Sequence, residues 1–75
     1  MNRINKLILE QLKDGEEHQA SDISKRTNKQ LSGLFYALSN LMNEKEIIKT
    51  EYGKYKITEI GLKALELEEM KNEKI

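Results

Sequence analysis

Between residues 31 and 42 the apolar side chains Leu31, Leu34, Phe35, Leu38, Leu41 and Met42 recur at the three- and four-residue steps of one helical face. A helix this apolar must be covered along its inner side, so the rest of a short chain has to fold around it. The spacing predicts a helix over about residues 29–43 with all six residues facing inward. Phe35 and Tyr36 are adjacent and cannot share one direction, so Phe35 is expected in the core and Tyr36 at least partly exposed.

The remaining periodicities supply the cover. Ile4, Leu7, Ile8 and Leu12 line one face of a first helix over about residues 2–13, with Leu9 off that stripe and expected to face a partner. Asp14 and Gly15 end it, glycine being suited to the left-handed residue that closes a last turn. A polar connection over residues 16–19 follows. Ser21 or Asp22 is expected to cap a short second helix through Arg26, with Ala20 and Ile23 as its apolar contacts. Thr27 and Asn28 make a tight turn, where asparagine tolerates positive φ. Two β-prone runs, Ile47 to Thr50 and Tyr55 to Ile57, surround Glu51, Tyr52, Gly53 and Lys54 and read as a hairpin with Gly53 in its turn. Thr58 caps a fourth helix that begins at Glu59, carries Ile60, Leu62, Ala64, Leu65, Leu67 and Met70, and ends near Asn72. The fold class is therefore mainly α with a small β-hairpin, in the order helix, helix, helix, two-stranded hairpin, helix.

Seventy-five residues hold one core, so a single domain over residues 1–75 is expected. There is no cysteine, which removes disulfides and thiolate metal sites and points to a cytoplasmic location. Arg3, Lys6 and Glu10 interrupt the opening apolar stretch, so neither a signal peptide nor a membrane anchor is expected. Catalysis needs a nucleophile, a base or a metal in a pocket. The only histidine, His18, lies in the polar connection, and Glu16, Glu17, Glu66, Glu68 and Glu69 read as solubilising charge. With no glycine-rich phosphate loop either, the expectation is a non-enzyme without cofactor, metal or small-molecule ligand.

Thirteen basic and thirteen acidic residues cancel, yet they are unevenly placed. Residues 25–56 hold seven basic and three acidic side chains, whereas three basic and five acidic lie on either side of that segment. Positive charge is thus gathered in the middle of the chain, as phosphate binding requires.

Ile23 precedes Leu34, Leu38 and Leu41 by 11, 15 and 18 residues, the separations at which two crossing helices share one contact. Here the chain resembles winged helix-turn-helix regulators of the MarR and PadR kind. Their third-helix ending of two leucines, a glycine and an Ile or Val strand is matched by Leu38, Leu41 and Ile47, with Lys45 in place of the glycine. Their stretch Tyr-x-Leu-Thr-x-x-Gly-x-x-x-Leu is matched by Tyr55, Ile57, Thr58, Gly61 and Leu65. Thr58 would cap, and Gly61 would let a helix backbone approach its neighbour. Residues 30–34, Gln-Leu-Ser-Gly-Leu, also resemble small phage-type winged helix proteins with a glycine in the recognition helix. The likeness spans about residues 4–65.

The resemblance implies a small transcriptional regulator binding double-stranded DNA, its third helix in the major groove and its wing on the phosphate backbone. Outside the core stripe that helix offers Lys29, Gln30, Ser32, Gly33, Tyr36, Ser39, Asn40 and Asn43. Gln30 and Asn40 are candidates for adenine, and Ser32 and Tyr36 for phosphate or thymine methyls. Lys25, Arg26 and Lys29 around the turn, and Lys49, Lys54 and Lys56 on the hairpin, are candidates for phosphate. Tyr52 at the tip faces either a minor groove or solvent. No arginine in the helix is available for guanine. Apolar residues on more than one face of the fourth helix, with Leu9, point to a homodimer through the first and last helices. The alternative function is a protein-interaction module, an antirepressor or assembly adaptor that binds no DNA.

Overall fold

In the computed structural model, which describes residues 1–72, four helices enclose a core against a two-stranded hairpin. Asn2 starts α1 (Arg3–Leu12) by accepting the Asn5 backbone N–H on its side chain at 2.8 Å. The helix ends at Gly15, whose φ of 80° and N–H bond to the Leu12 carbonyl close the last turn. Helix α2 (Ala20–Thr27) begins earlier than its Ser and Asp suggest. Gln19 occupies the capping position without a side-chain bond, so neither Ser21 nor Asp22 is the cap. Asn28 then adopts the left-handed conformation, φ 57°, and the Lys29 N–H reaches back to the Ser24 carbonyl.

Helix α3 (Leu31–Asn43) starts two residues later than its pattern predicts, after Gln30. It closes with a full Schellman motif. Lys45 N–H bonds the Met42 carbonyl at 3.0 Å and Glu46 N–H the Leu41 carbonyl at 2.9 Å. The left-handed residue that this motif demands is Lys45 itself, φ 62°, where the resembled pattern has glycine.

Strands β1 (Ile47–Lys49) and β2 (Tyr55–Ile57) pair antiparallel, Ile47 opposite Ile57 and Lys49 opposite Tyr55. Their connection is closed by the Thr50 N–H on the Lys54 carbonyl, with Gly53 at φ 74°. The other edge of β2 is also occupied. His18 and Tyr55 exchange both backbone bonds, at 2.9 and 2.8 Å, so the polar connection before α2 serves as a third strand one residue long. Thr58 joins the hairpin to two helices at once. Its hydroxyl donates to the Lys45 carbonyl at 2.7 Å and accepts the Gly61 N–H at 3.1 Å, which caps α4 (Glu59–Asn72).

The core comprises Ile8, Leu9, Leu12, Ile23, Leu34, Ala37, Leu38, Leu41, Ile47, Tyr55, Ile57 and Leu65. Ile23 and its three leucines share it, and Tyr55 and Ile57 point the same way, as their spacings require. Two expectations fail here. Leu9 is fully buried and faces no partner, because α1 is packed by α2, α3, α4 and β2 and so needs a broader apolar surface than a single stripe. Phe35 and Leu31 are 48% and 42% exposed, and Met42 is half-buried. The buried set of α3 is Leu34, Ala37, Leu38 and Leu41, so the helix is turned about its axis until the small Ala37 points inward and Phe35 moves to the flank.

Candidate nucleic-acid interface

The face of α3 opposite the core is the line Ser32, Tyr36, Ser39 and Asn43, each about one helical turn from the next. Ser32, Ser39 and Asn43 are exposed and Tyr36 is 74% exposed. Gly33 and Asn40 form one border of this line, Gly33 exposed and Asn40 half-buried. Leu31 and Phe35 form the other. Thirteen residues long, α3 contains no charged side chain, so its outer surface offers hydroxyls, amides and apolar groups only.

Cations precede and follow this helix in the chain. Lys25 and Arg26 end α2, and Lys29 and Gln30 lead into α3; all four are exposed. After α3 the hairpin carries Lys49 and Lys56, both exposed, and Lys54, which is half-buried beside the turn. Lys49 also lies 5.9 Å from the centre of the Tyr55 ring, close enough for a cation–π contact. Tyr52 at the hairpin tip is 74% exposed.

These cations are not equivalent. Arg26 Nε sits 3.2 Å from Asp22 Oδ2, whereas among the described residues no carboxylate pairs with Lys25, Lys29, Lys49, Lys54 or Lys56. Asp22 belongs to a series at four-residue spacing. Its Oδ2 is 3.4 Å from His18 Nδ1, and His18 Nε2 is 3.0 Å from Asp14 Oδ2. The backbone N–H of Glu16, at 2.8 Å, and the His18 ring hold the Asp14 carboxyl below the usual carboxylate range. The imidazole is therefore a spacer between two carboxylates, pinned by its backbone pairing with Tyr55. Only Asp22 and Arg26 share a helix, so of this series the sequence spacing signalled that pair alone, and the connection's own turn brings Asp14 and His18 together.

Away from this face, an open cleft of about 370 Å³ lies between α1, the end of α3 and α4. Met1, Glu44, Glu46, Glu68 and Lys71 line it, and the Met1 amino group is 3.4 Å from Glu68. Burial and the neighbouring Glu44 push the Glu46 carboxyl above its usual range. No described helix is long and apolar enough to cross a membrane.

No protein-family model matches the chain, and a search of curated proteins found no match.

Proposed function

We propose that this chain binds double-stranded DNA as a small, non-enzymatic transcriptional regulator, with α3 in the major groove and the hairpin on the phosphate backbone. The observation that carries this reading is the order of cations with no carboxylate partner among the described residues, Lys25 and Lys29 before α3 and Lys49, Lys54 and Lys56 after it, on either side of a helix with no charge of its own. Phosphates flank a groove whose floor is neutral, and this arrangement is complementary to that pattern. Gln30, Ser32, Gly33, Tyr36 and Asn40 would then face base edges or sugars, Tyr52 the minor groove beside the wing, and Arg26 would serve more weakly because Asp22 already engages it.

A random-duplex selection followed by a salt titration tests the proposal. Each phosphate contact contributes a slope of about −0.9 in log K against log salt. Steep weakening with salt is expected. Absence of a complex with any duplex at low salt removes the reading.

The DNA-binding unit is proposed to be a homodimer, now resting on α4 because Leu9 is buried. Ile60, Leu67 and Met70 are exposed on α4, and Met1 lies exposed at the start of α1. Two copies paired there would present two reading helices to half-sites about 34 Å apart. Sedimentation at micromolar concentration should give twice the 8.8 kDa chain mass.

A second reading, a protein-interaction module such as an antirepressor or assembly adaptor, is favoured by the zero net charge and by the apolar flank of α3. Capture of a protein partner by a chain that shifts no duplex would select it.

A further inference from the structure

Leu31 and Phe35 lie one turn apart in the first half of α3 and keep roughly half their surface in water, while Ala37 on the other side of the buried stripe points inward. Two large apolar side chains held wet on one surface mark a contact surface more often than scattered exposure does. Their surroundings narrow the partner. The helix has no charged group, its outward line is Ser32, Tyr36, Ser39 and Asn43, and lysines with no carboxylate partner among the described residues precede and follow it in the chain. A partner that meets this surface must be anionic where it passes the lysines and must offer apolar groups to the Leu31 and Phe35 flank beside the polar line.

Duplex DNA rich in thymine has that pattern. Phosphates line the rims of the major groove, and the C5-methyl of thymine is the apolar group on its floor. Residues in the first turns of a recognition helix are those that approach base edges. Building on the DNA-binding reading, we infer that Leu31 and Phe35 read thymine methyl groups, so the preferred ligand is an A·T-rich duplex distinguished by methyl contacts. With neither Arg nor Lys on α3, guanine has no bidentate partner there, which pushes selection the same way.

The experiment uses the full chain and its best selected duplex, prepared once with thymine and once with deoxyuridine, which lacks only the methyl. Affinities are compared at fixed salt by fluorescence anisotropy. The thymine duplex is expected to bind about threefold to fourfold more tightly per methyl contacted, the factor that follows from burying one methyl-sized group. A variant carrying Leu31→Ala and Phe35→Ala should lose that preference yet keep the same salt slope, because the lysines are untouched. Circular dichroism and thermal melting confirm that it folds. Equal affinity for the two duplexes by a chain that binds both in a salt-dependent way overturns the methyl reading alone. Persistence of the preference in the double variant overturns it as well. No binding to any duplex, or capture of a protein on this flank instead, overturns it together with the DNA-binding reading.

Discussion

Gly61 of α4 packs its backbone against the carbonyl of Glu46, so that a Cβ at position 61 would overlap that oxygen and stand 2.8 Å from Ile57 Cγ1. The same carbonyl accepts the Thr58 N–H, and neither partner is a flexible side-chain end that can step aside. Gly61→Ala should therefore destabilise the protein by about 3 kcal/mol or more, at or beyond the top of the usual overpacking range. Gly33→Ala is the control. Its Cβ would meet open space on an exposed helix face, and a gain of up to about 1 kcal/mol is expected from helix propensity. Urea denaturation of the two variants separates close approach from glycine's backbone entropy.

Lys45 holds a left-handed conformation for which an L-residue with a Cβ is poorly suited, at a cost of roughly 1–2 kcal/mol. Lys45→Gly is expected to stabilise by about 1 kcal/mol, the glycine's extra unfolded freedom offsetting part of the relief. Lys45→Val should destabilise, since a β-branched residue suits this region least. Thermal melts that rank Gly above Lys and Lys above Val would support the αL cap. A melting order with Val above Lys would contradict it.

The rotation of α3 predicts unequal costs for two large side chains on one apolar stripe. Leu38→Ala removes a fully buried group and should cost about 2–5 kcal/mol. Phe35→Ala removes a half-exposed one and should cost about 1 kcal/mol or less. Comparable losses at the two sites would show that Phe35 is in the core.

Two carboxylates give stability opposite dependences on pH. Asp14 is held below its usual range by the Glu16 N–H and His18, so its contribution is present above about pH 3.9, the usual aspartate value, and is lost as pH falls through the lowered folded value. Glu46 is held above its usual range by burial and Glu44, so stability linked to it is present below about pH 4.3 and is lost as pH rises through the raised folded value. Glu46→Gln should thus stabilise the protein at neutral pH. Asp14→Ala should flatten the acid limb of a stability curve measured by urea midpoints from pH 7 to 2.

On duplex DNA the lysines and the arginine should differ in salt dependence. Lys29→Ala or Lys54→Ala is expected to reduce the magnitude of the log K against log salt slope by about 0.9, one phosphate contact each. Arg26→Ala should change it less, because Asp22 at 3.2 Å already neutralises that side chain. An Arg26 effect as large as those of the lysines would show that the Asp22 pair opens on binding.

Element order, the positive-φ turns at Gly15, Asn28 and Gly53, the Thr58 cap and the close approach at Gly61 were all legible in the sequence. The turns and the Thr58 cap on the Gly61 N–H depend on residues near one another in the chain, where periodicity and turn chemistry act directly, while for Gly61 the sequence marked the residue and only the fold supplied its neighbour, the Glu46 carbonyl. Three features depended on tertiary structure. Full burial of Leu9 came from α1 being packed by four other elements. The bridge from His18 to Tyr55 came from the fold bringing a polar connection to the open edge of β2. Exposure of Leu31 and Phe35 came from the choice of Ala37 as an inward residue. An apolar stripe specifies that a helix has a buried side but leaves its rotation free by tens of degrees, and neighbouring elements set that angle. The sequence alone therefore determined a helix-rich chain with a hairpin and a positively charged middle, while tertiary packing decided which apolar side chains of α3 remain in water.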